Sequence, residues 1–246
     1  MIDGWLILGV LAVAFCYSMV GHGGASGYLA LLAFSSIPGA VGATTALALN
    51  IVVAGITLLV FGRAKHFSFE LAWPLLIGSV PFAFLGGLLR FDNRWQDLLL
   101  TVILLYSAVM LMVGESDKDQ RPETPGRGWL IVTGSGIGLI SGIVGVGGGI
   151  FLSPLMVLKG WAQSHKVAAL SAGFIFANSM AGLAARPASL LFESLALWPL
   201  VFFGACGAIL GSTVGANRVS NLGLRRLLGI VLLIAVAKLF QKVLTL

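Results

Sequence analysis

Two stretches decide the fold: Val20-Gly21-His22-Gly23-Gly24-Ala25-Ser26-Gly27 and Val144-Gly145-Val146-Gly147-Gly148-Gly149-Ile150-Phe151. Each interrupts a long apolar run with clustered glycines. A glycine inside a helix is about 0.8–1.0 kcal/mol less favourable than alanine, so three or four together end one. Glycines spaced along one face do something else: they let two helices approach closely while the helix stays intact. Gly134, Gly138 and Gly142 have that spacing, as do Gly204, Gly207, Gly211 and Gly215. The two clusters do not, and they read as breaks.

The runs they interrupt belong in a bilayer. Of 246 residues, 58% are hydrophobic and 10% are charged, and the mean hydropathy is +1.02. Soluble domains carry about 25% charged residues, and a soluble monomer of this size cannot hide so much apolar surface. That excludes a soluble globule, a disordered tail and a disulfide scaffold. At about 20 residues per spanning helix the chain supplies roughly eight crossings and leaves no room for a soluble catalytic domain. The net charge of +6 is assigned to cytosolic loops rather than to a nucleic-acid partner. Cys16 and Cys206 are expected to be small buried hydrophobes. No metal or cofactor is expected, and the opening Met1-Ile2-Asp3 lacks the basic start of a cleaved signal peptide.

Residues 4–62 contain no Asp, Glu, Lys or Arg. They divide into an apolar helix at 4–20, the glycine break, a short helix at 25–35 and a long helix at 38–61. Further helices are expected at 69–89 and 96–114. Residues 115–127 hold seven charged residues and two prolines and form a hydrophilic linker. The pattern then repeats: a charge-free run from 128 to 158, broken at its glycines, and helices at 166–185, 194–217 and 221–240. His66 and His165 are placed in polar loops, and Glu70 and Glu193 at the starts of corresponding helices.

The repetition can be anchored. Gly21-His22-Gly23-Gly24 aligns with Gly145-Val146-Gly147-Gly148 at an offset of 124, and Trp73-Pro74-Leu75 with Trp198-Pro199-Leu200 at 125. Asn93-Arg94 aligns with Asn217-Arg218 at 124. The fold class is therefore an all-α integral membrane protein of two homologous repeats, 1–114 and 128–246, joined by the linker 115–127. Each repeat holds a glycine-broken segment plus three spanning helices.

Charge decides between parallel and inverted repeats. If each broken segment crosses the bilayer, the loop cations divide almost evenly between the two sides. If each is a hairpin that returns to its starting side, Arg63, Lys65, Lys118, Arg121, Arg127, Lys159, Lys166, Arg218, Arg225 and Arg226 share one side. Arg90, Arg94, Arg186, Lys238 and Lys242 then share the other. Only the hairpin count respects the positive-inside rule. It makes the repeats inverted and the linker cytosolic in a multi-pass protein of the inner (plasma) membrane.

Irregular backbone survives at membrane depth only where it is buried in protein or lines a polar cavity. Each break frees the N–H groups at the start of its second helix, and the positive end of that helix dipole suits an anion. Paired broken helices at matching positions of two repeats point to a transporter's binding site near the midplane. Hydroxyls and amides could bond the anion without the cost of burying a full charge. The candidate substrate-binding residues are Gly21, His22, Gly23, Gly24, Ser26, Thr45 and Asn50 in the first half. In the second they are Gly147, Gly148, Gly149, Ser171 and Asn178. Thr44, Ser153 and Ser179 are further polar residues near them. His22, ionisable near neutral pH in a charge-free run, is also a candidate for proton coupling. Against this, Ser and Thr often bond back to their own helix.

The residues Gly145-Val146-Gly147-Gly148-Gly149-Ile150-Phe151, followed by Ser171-Ala172-Gly173-Phe174-Ile175-Phe176-Ala177-Asn178-Ser179, resemble the TauE/SafE sulfite exporter family of membrane permeases. The resemblance covers essentially the whole chain. In the first half His22 takes a variable position, and Ala25-Ser26-Gly27 replaces the family's third glycine and apolar residues. The resemblance implies transport, usually outward, of sulfite or a small organosulfur anion.

Two other functions compete. Gly24-Ala25-Ser26-Gly27 matches the G-x-S-G pattern of rhomboid intramembrane proteases, but no histidine base is expected on a separate membrane helix, and Ser26 aligns with Ile150. A passive channel for a small solute would use similar glycine-rich elements. The sequence therefore favours a secondary transporter, with a homodimer suggested by its small-residue helix faces.

Overall fold

The computed structural model describes residues 3–33, 35, 37, 39–89, 105, 108, 109, 112 and 125–244. The described chain forms helices α1 (Gly4–Met19), α2 (Ala25–Ala33), α3 (Gly39–Arg63), α4 (Phe69–Leu88) and α5 (Arg127–Val144). It continues as α6 (Gly149–Leu158), α7 (Ser164–Ala184), α8 (Ala188–Leu195), α9 (Trp198–Asn217) and α10 (Asn221–Leu244). The expected helix at 96–114 and the linker at 115–127 fall almost wholly outside the described residues. Five helices, α3, α4, α5, α7 and α9, are long and apolar enough to cross a membrane, while α1 and α6 are shorter apolar helices. Both glycine clusters end a helix where the sequence indicates.

Close contacts fix the helix directions. A Cβ on Gly207, Gly211 or Gly215 of α9 would meet the carbonyls of Leu11, Phe15 or Met19 of α1. Both series ascend, so α1 and α9 run parallel. In the same way Gly134, Gly138 and Gly142 of α5 lie against the carbonyls of Leu75, Ser79 and Ala83, and α5 runs parallel to α4. These glycine faces, which suggested a second copy of the chain, are filled by the chain itself. Between α1 and α2 the order reverses: Gly27 packs on Val13, Gly9 on Leu31, and the Tyr17 and Ser26 hydroxyls are 3.0 Å apart. So α2 folds back beside α1 as a hairpin. The helix α3 runs antiparallel to α7, with Leu47 beside Gly182, Leu58 beside Gly173 and Asn50 bonded to Ser179.

Among the described residues the two largest core clusters each take helices from both halves of the sequence. One gathers Leu6 and Val10 of α1, Tyr28 of α2, Leu49 and Val53 of α3 and Leu200 of α9. The other gathers Leu75 of α4, Ile137 of α5, Leu152 and Met156 of α6 and Phe174 of α7. The α3–α7 pair runs between them. With these directions, Arg63, Lys65, Arg127, Lys159, Lys166 and Arg218 stand at one end of the bundle and Arg186 at the other.

Four expectations need correction. The helix expected at 194–217 is two helices, parted at Ala196-Leu197, with Pro199 in the first turn of α9. Proline lacks an N–H and suits that first turn. Glu193 consequently lies near the end of α8 and does not open the helix that corresponds to α4. His165 is in the first turn of α7, where its ring lies 4.7 Å from that of His66. Of the two cysteines expected to be buried, Cys16 is exposed on α1 and Cys206 is only half-buried on α9; a lipid-facing surface is as apolar as a core, so hydrophobicity alone does not distinguish them.

Candidate functional site

The breaks are built on left-handed backbone that only glycine adopts without strain. Gly21 and Gly24 have φ of 81° and 95°, and Gly145, Gly147 and Gly148 have φ of 75°, 79° and 81°. At the end of α1 the His22 N–H donates to the Tyr17 carbonyl at 2.9 Å, and at the end of α5 the Gly145 N–H donates to Ser141 at 2.7 Å. These bonds satisfy carbonyls that a helix end otherwise leaves bare. The first N–H groups of α2 and α6 have no partner within their own helices.

The two breaks meet. A Cβ on Gly23 would strike Asn50 Oδ1 and stand 3.1 Å from Ile175, and one on Gly147 would stand 3.0 Å from Asn50 Nδ2 and 2.8 Å from Ser179 Oγ. A Cβ on Gly149 would crowd Ile175 and lie 3.3 Å from the His22 ring. Asn50 and Ile175, on the antiparallel pair α3 and α7, are thus touched by both breaks. Asn50 Nδ2 donates to the Val146 carbonyl at 3.4 Å and to Ser179 Oγ at 3.3 Å. His22 Nε2 lies 3.1 Å from the Gly149 carbonyl oxygen and 3.0 Å from Ser153 Oγ. Ser153 Oγ is 2.6 Å from Ser171 Oγ.

Half of the expected glycines join the other site residues: Gly23, Gly147 and Gly149 are linked by contact or hydrogen bonds with His22, Asn50 and Ser171, and with Ser153 and Ser179. Gly21 instead packs on Ala168, Gly24 on Tyr28 and Gly148 on Phe174 and Ser141. Ser26 joins only through Tyr17. Thr45 does not join: it is buried on α3 and donates to Val41 of its own helix at 2.8 Å, as Thr44 does to Ala40. Asn178 is buried beside Ser179 in sequence, and neither side-chain atom has a partner among the described residues. The same holds for His22 Nδ1, Asn50 Oδ1 and the Tyr28 hydroxyl. Each buried polar atom left unpaired destabilises the fold by about 1–3 kcal/mol, so several around one pair of breaks mark a place arranged for something other than stability. Tyr17 and Tyr28 escaped the sequence reading because an aromatic side chain in an apolar run is most simply a core residue.

The chemistry available is binding. The hydrogen bonds of this cluster run between hydroxyls, an amide and the His22 imidazole. The Arg186 guanidinium comes near the second break, where a Cβ on Gly145 would stand 3.5 Å from its Nη2. A ring nitrogen facing a carbonyl oxygen carries its proton, so His22 Nε2 donates to Gly149 and its lone pair is not there to activate Ser153. Ser26 is bonded to Tyr17 and not to a histidine. Neither serine forms the nucleophile–base pair that hydrolysis needs.

Comparison with known proteins agrees with this chemistry. Residues 6–239 match the family described as sulfite exporter TauE/SafE. The chain is 33% identical over 239 residues to the probable membrane transporter protein y4hK of Sinorhizobium fredii, covering 95% of this chain and 96% of the relative. No solved structure matches it.

Proposed function

The chain belongs to the sulfite exporter TauE/SafE family and is a multi-pass membrane transporter, not an enzyme, and on that premise we propose that it moves sulfite or a small organosulfur anion outward by alternating access. The observation that carries this reading is the meeting of the two glycine breaks on Asn50 and Ile175. The anion sits between the breaks, held by N–H groups at the starts of α2 and α6 and by Asn178 and Ser171, while Asn50 ties the second break to α3 and α7 through Val146 and Ser179. Backbone donors and dipoles hold an anion there without a buried cation. His22 carries the coupling proton.

The reading includes two inverted repeats with the linker side in the cytosol. Support comes from direction: α3 and α7 correspond in the two halves and run antiparallel, and α2 doubles back beside α1. The six cations gathered at one end of the bundle fit the positive-inside rule. The pairing of α1 with α9 and of α4 with α5 crosses between the halves. The bodies that rock are accordingly not the sequence halves: one contains α1, α2, α3 and α9, the other α4, α5, α6 and α7.

The test is flux of labelled sulfite, sulfonates and sulfate in proteoliposomes. Saturable, proton-dependent flux of a sulfur anion is the expected result. Flux at channel rates would sink the carrier mechanism, and no flux of any sulfur anion would sink the substrate.

A further inference from the structure

Tyr28 is fully buried on α2, and its hydroxyl has no hydrogen-bond partner among the described residues. Its neighbours in the core are aliphatic, among them Val10, Leu32, Leu49 and Val53. A phenylalanine would fill the same space without stranding a hydroxyl in apolar surroundings. Packing therefore does not account for the oxygen. The offset of 124 that aligns the two glycine clusters pairs Tyr28 with Leu152, which is also fully buried, so the corresponding place in the second half is filled by an aliphatic side chain.

The hydroxyl is not remote from the breaks. A Cβ on Gly24 would stand 2.9 Å from it, and the preceding residue, Gly23, packs against Asn50. The absence of a side chain at Gly24 lets the phenol oxygen approach the backbone of the first break. The other tyrosine of this region differs: Tyr17 has Ser26 as its hydroxyl partner.

We infer that the Tyr28 hydroxyl is a substrate-contacting group that donates a hydrogen bond to an oxyanion at the first glycine break. This rests on the reading of the protein as an oxyanion transporter and adds a donor to it. It also makes the site asymmetric, because the second break has a leucine where the first has this phenol. A hydrogen bond to a charged oxygen is among the stronger ones, and its loss is felt in affinity.

The experiment compares wild type with Tyr28→Phe in proteoliposomes loaded with labelled sulfite. The KM for sulfite should rise about tenfold or more on loss of a charge-assisted bond, with thermal stability in detergent unchanged or raised. The chain has three tyrosines, so uniform 3-fluorotyrosine labelling gives a short fluorine spectrum in which Tyr28→Phe identifies the position 28 resonance. In wild type that resonance should shift when sulfite is added, a reading independent of how well the variant folds. An unchanged KM, or a resonance that ignores sulfite in a protein that transports it, overturns the role of Tyr28 alone. No transport of sulfite or sulfonate by wild type overturns the functional reading on which it rests.

Discussion

The imidazole Nε2 of His22 lies 3.1 Å from the carbonyl oxygen of Gly149, which ties the first glycine break to the first turn of the helix after the second. The same nitrogen lies 3.0 Å from Ser153 Oγ, so this one side chain spans the meeting of the two breaks. Losing a buried bond of this kind weakens an assembly by about 1–3 kcal/mol.

His22→Ala should lower sulfite flux at least about tenfold, in line with that loss. His22→Gln keeps an amide donor for Gly149 but cannot titrate. It should retain part of the flux and lose its dependence on the proton gradient. Initial rates against an imposed pH difference check this; a gradient dependence that survives in the glutamine variant removes His22 as the proton carrier.

Asn178→Ala and Thr45→Val make a matched pair. Asn178 has two unpaired buried groups, whereas the Thr45 hydroxyl is committed to Val41. The asparagine variant should raise the KM about tenfold, as expected for the loss of a bond to a charged ligand, and the threonine variant should change it little. Equal effects from the two would contradict the assignment of Asn178.

Gly138 and Gly136 lie two residues apart on α5 and face different surroundings. A Cβ on Gly138 would meet the backbone of Ser79, while one on Gly136 has nothing within 4 Å. Gly138→Ala should destabilise the protein by about 1–3 kcal/mol through overpacking. Gly136→Ala should stabilise it by up to about 1 kcal/mol, the helix preference of alanine over glycine. Thermal unfolding in detergent measures both.

Single cysteines in a cysteine-free background test the arrangement of ends. Lys65→Cys, Gly126→Cys and Lys159→Cys should all react with an impermeant thiol reagent from the cytosolic side. Ser189→Cys should react from the opposite side. Labelling of Gly126→Cys and Ser189→Cys from one face would contradict the inverted arrangement.

The breaks were legible in the sequence because clustered glycine acts locally: it ends a helix whatever surrounds it. Asn50 and His22 stood out because a polar group in a charge-free run needs a partner. What stayed hidden was which side of each helix looks inward. Leu6 is 2% exposed and Leu8 68%, on one turn of α1, and nothing in a leucine announces the difference when lipid is as apolar as the core. Cys16, exposed on α1, is hidden for the same reason. The parting of α8 from α9 is not legible because Trp198-Pro199 repeats Trp73-Pro74, whose proline lies inside α4.

The pairing of α1 with α9 has a bearing on how the protein is made. The ribosome delivers α1 before every other described helix, and α9 only after α2 to α8. Until then the carbonyls of Leu11, Phe15 and Met19 wait for the glycines that cover them. A nascent chain stopped after its first half would hold an uncovered helix in the bilayer, open to any small-residue surface or membrane chaperone nearby. Assembly should thus be late and cooperative, and truncations before residue 217 should be degraded rather than accumulate as half-transporters.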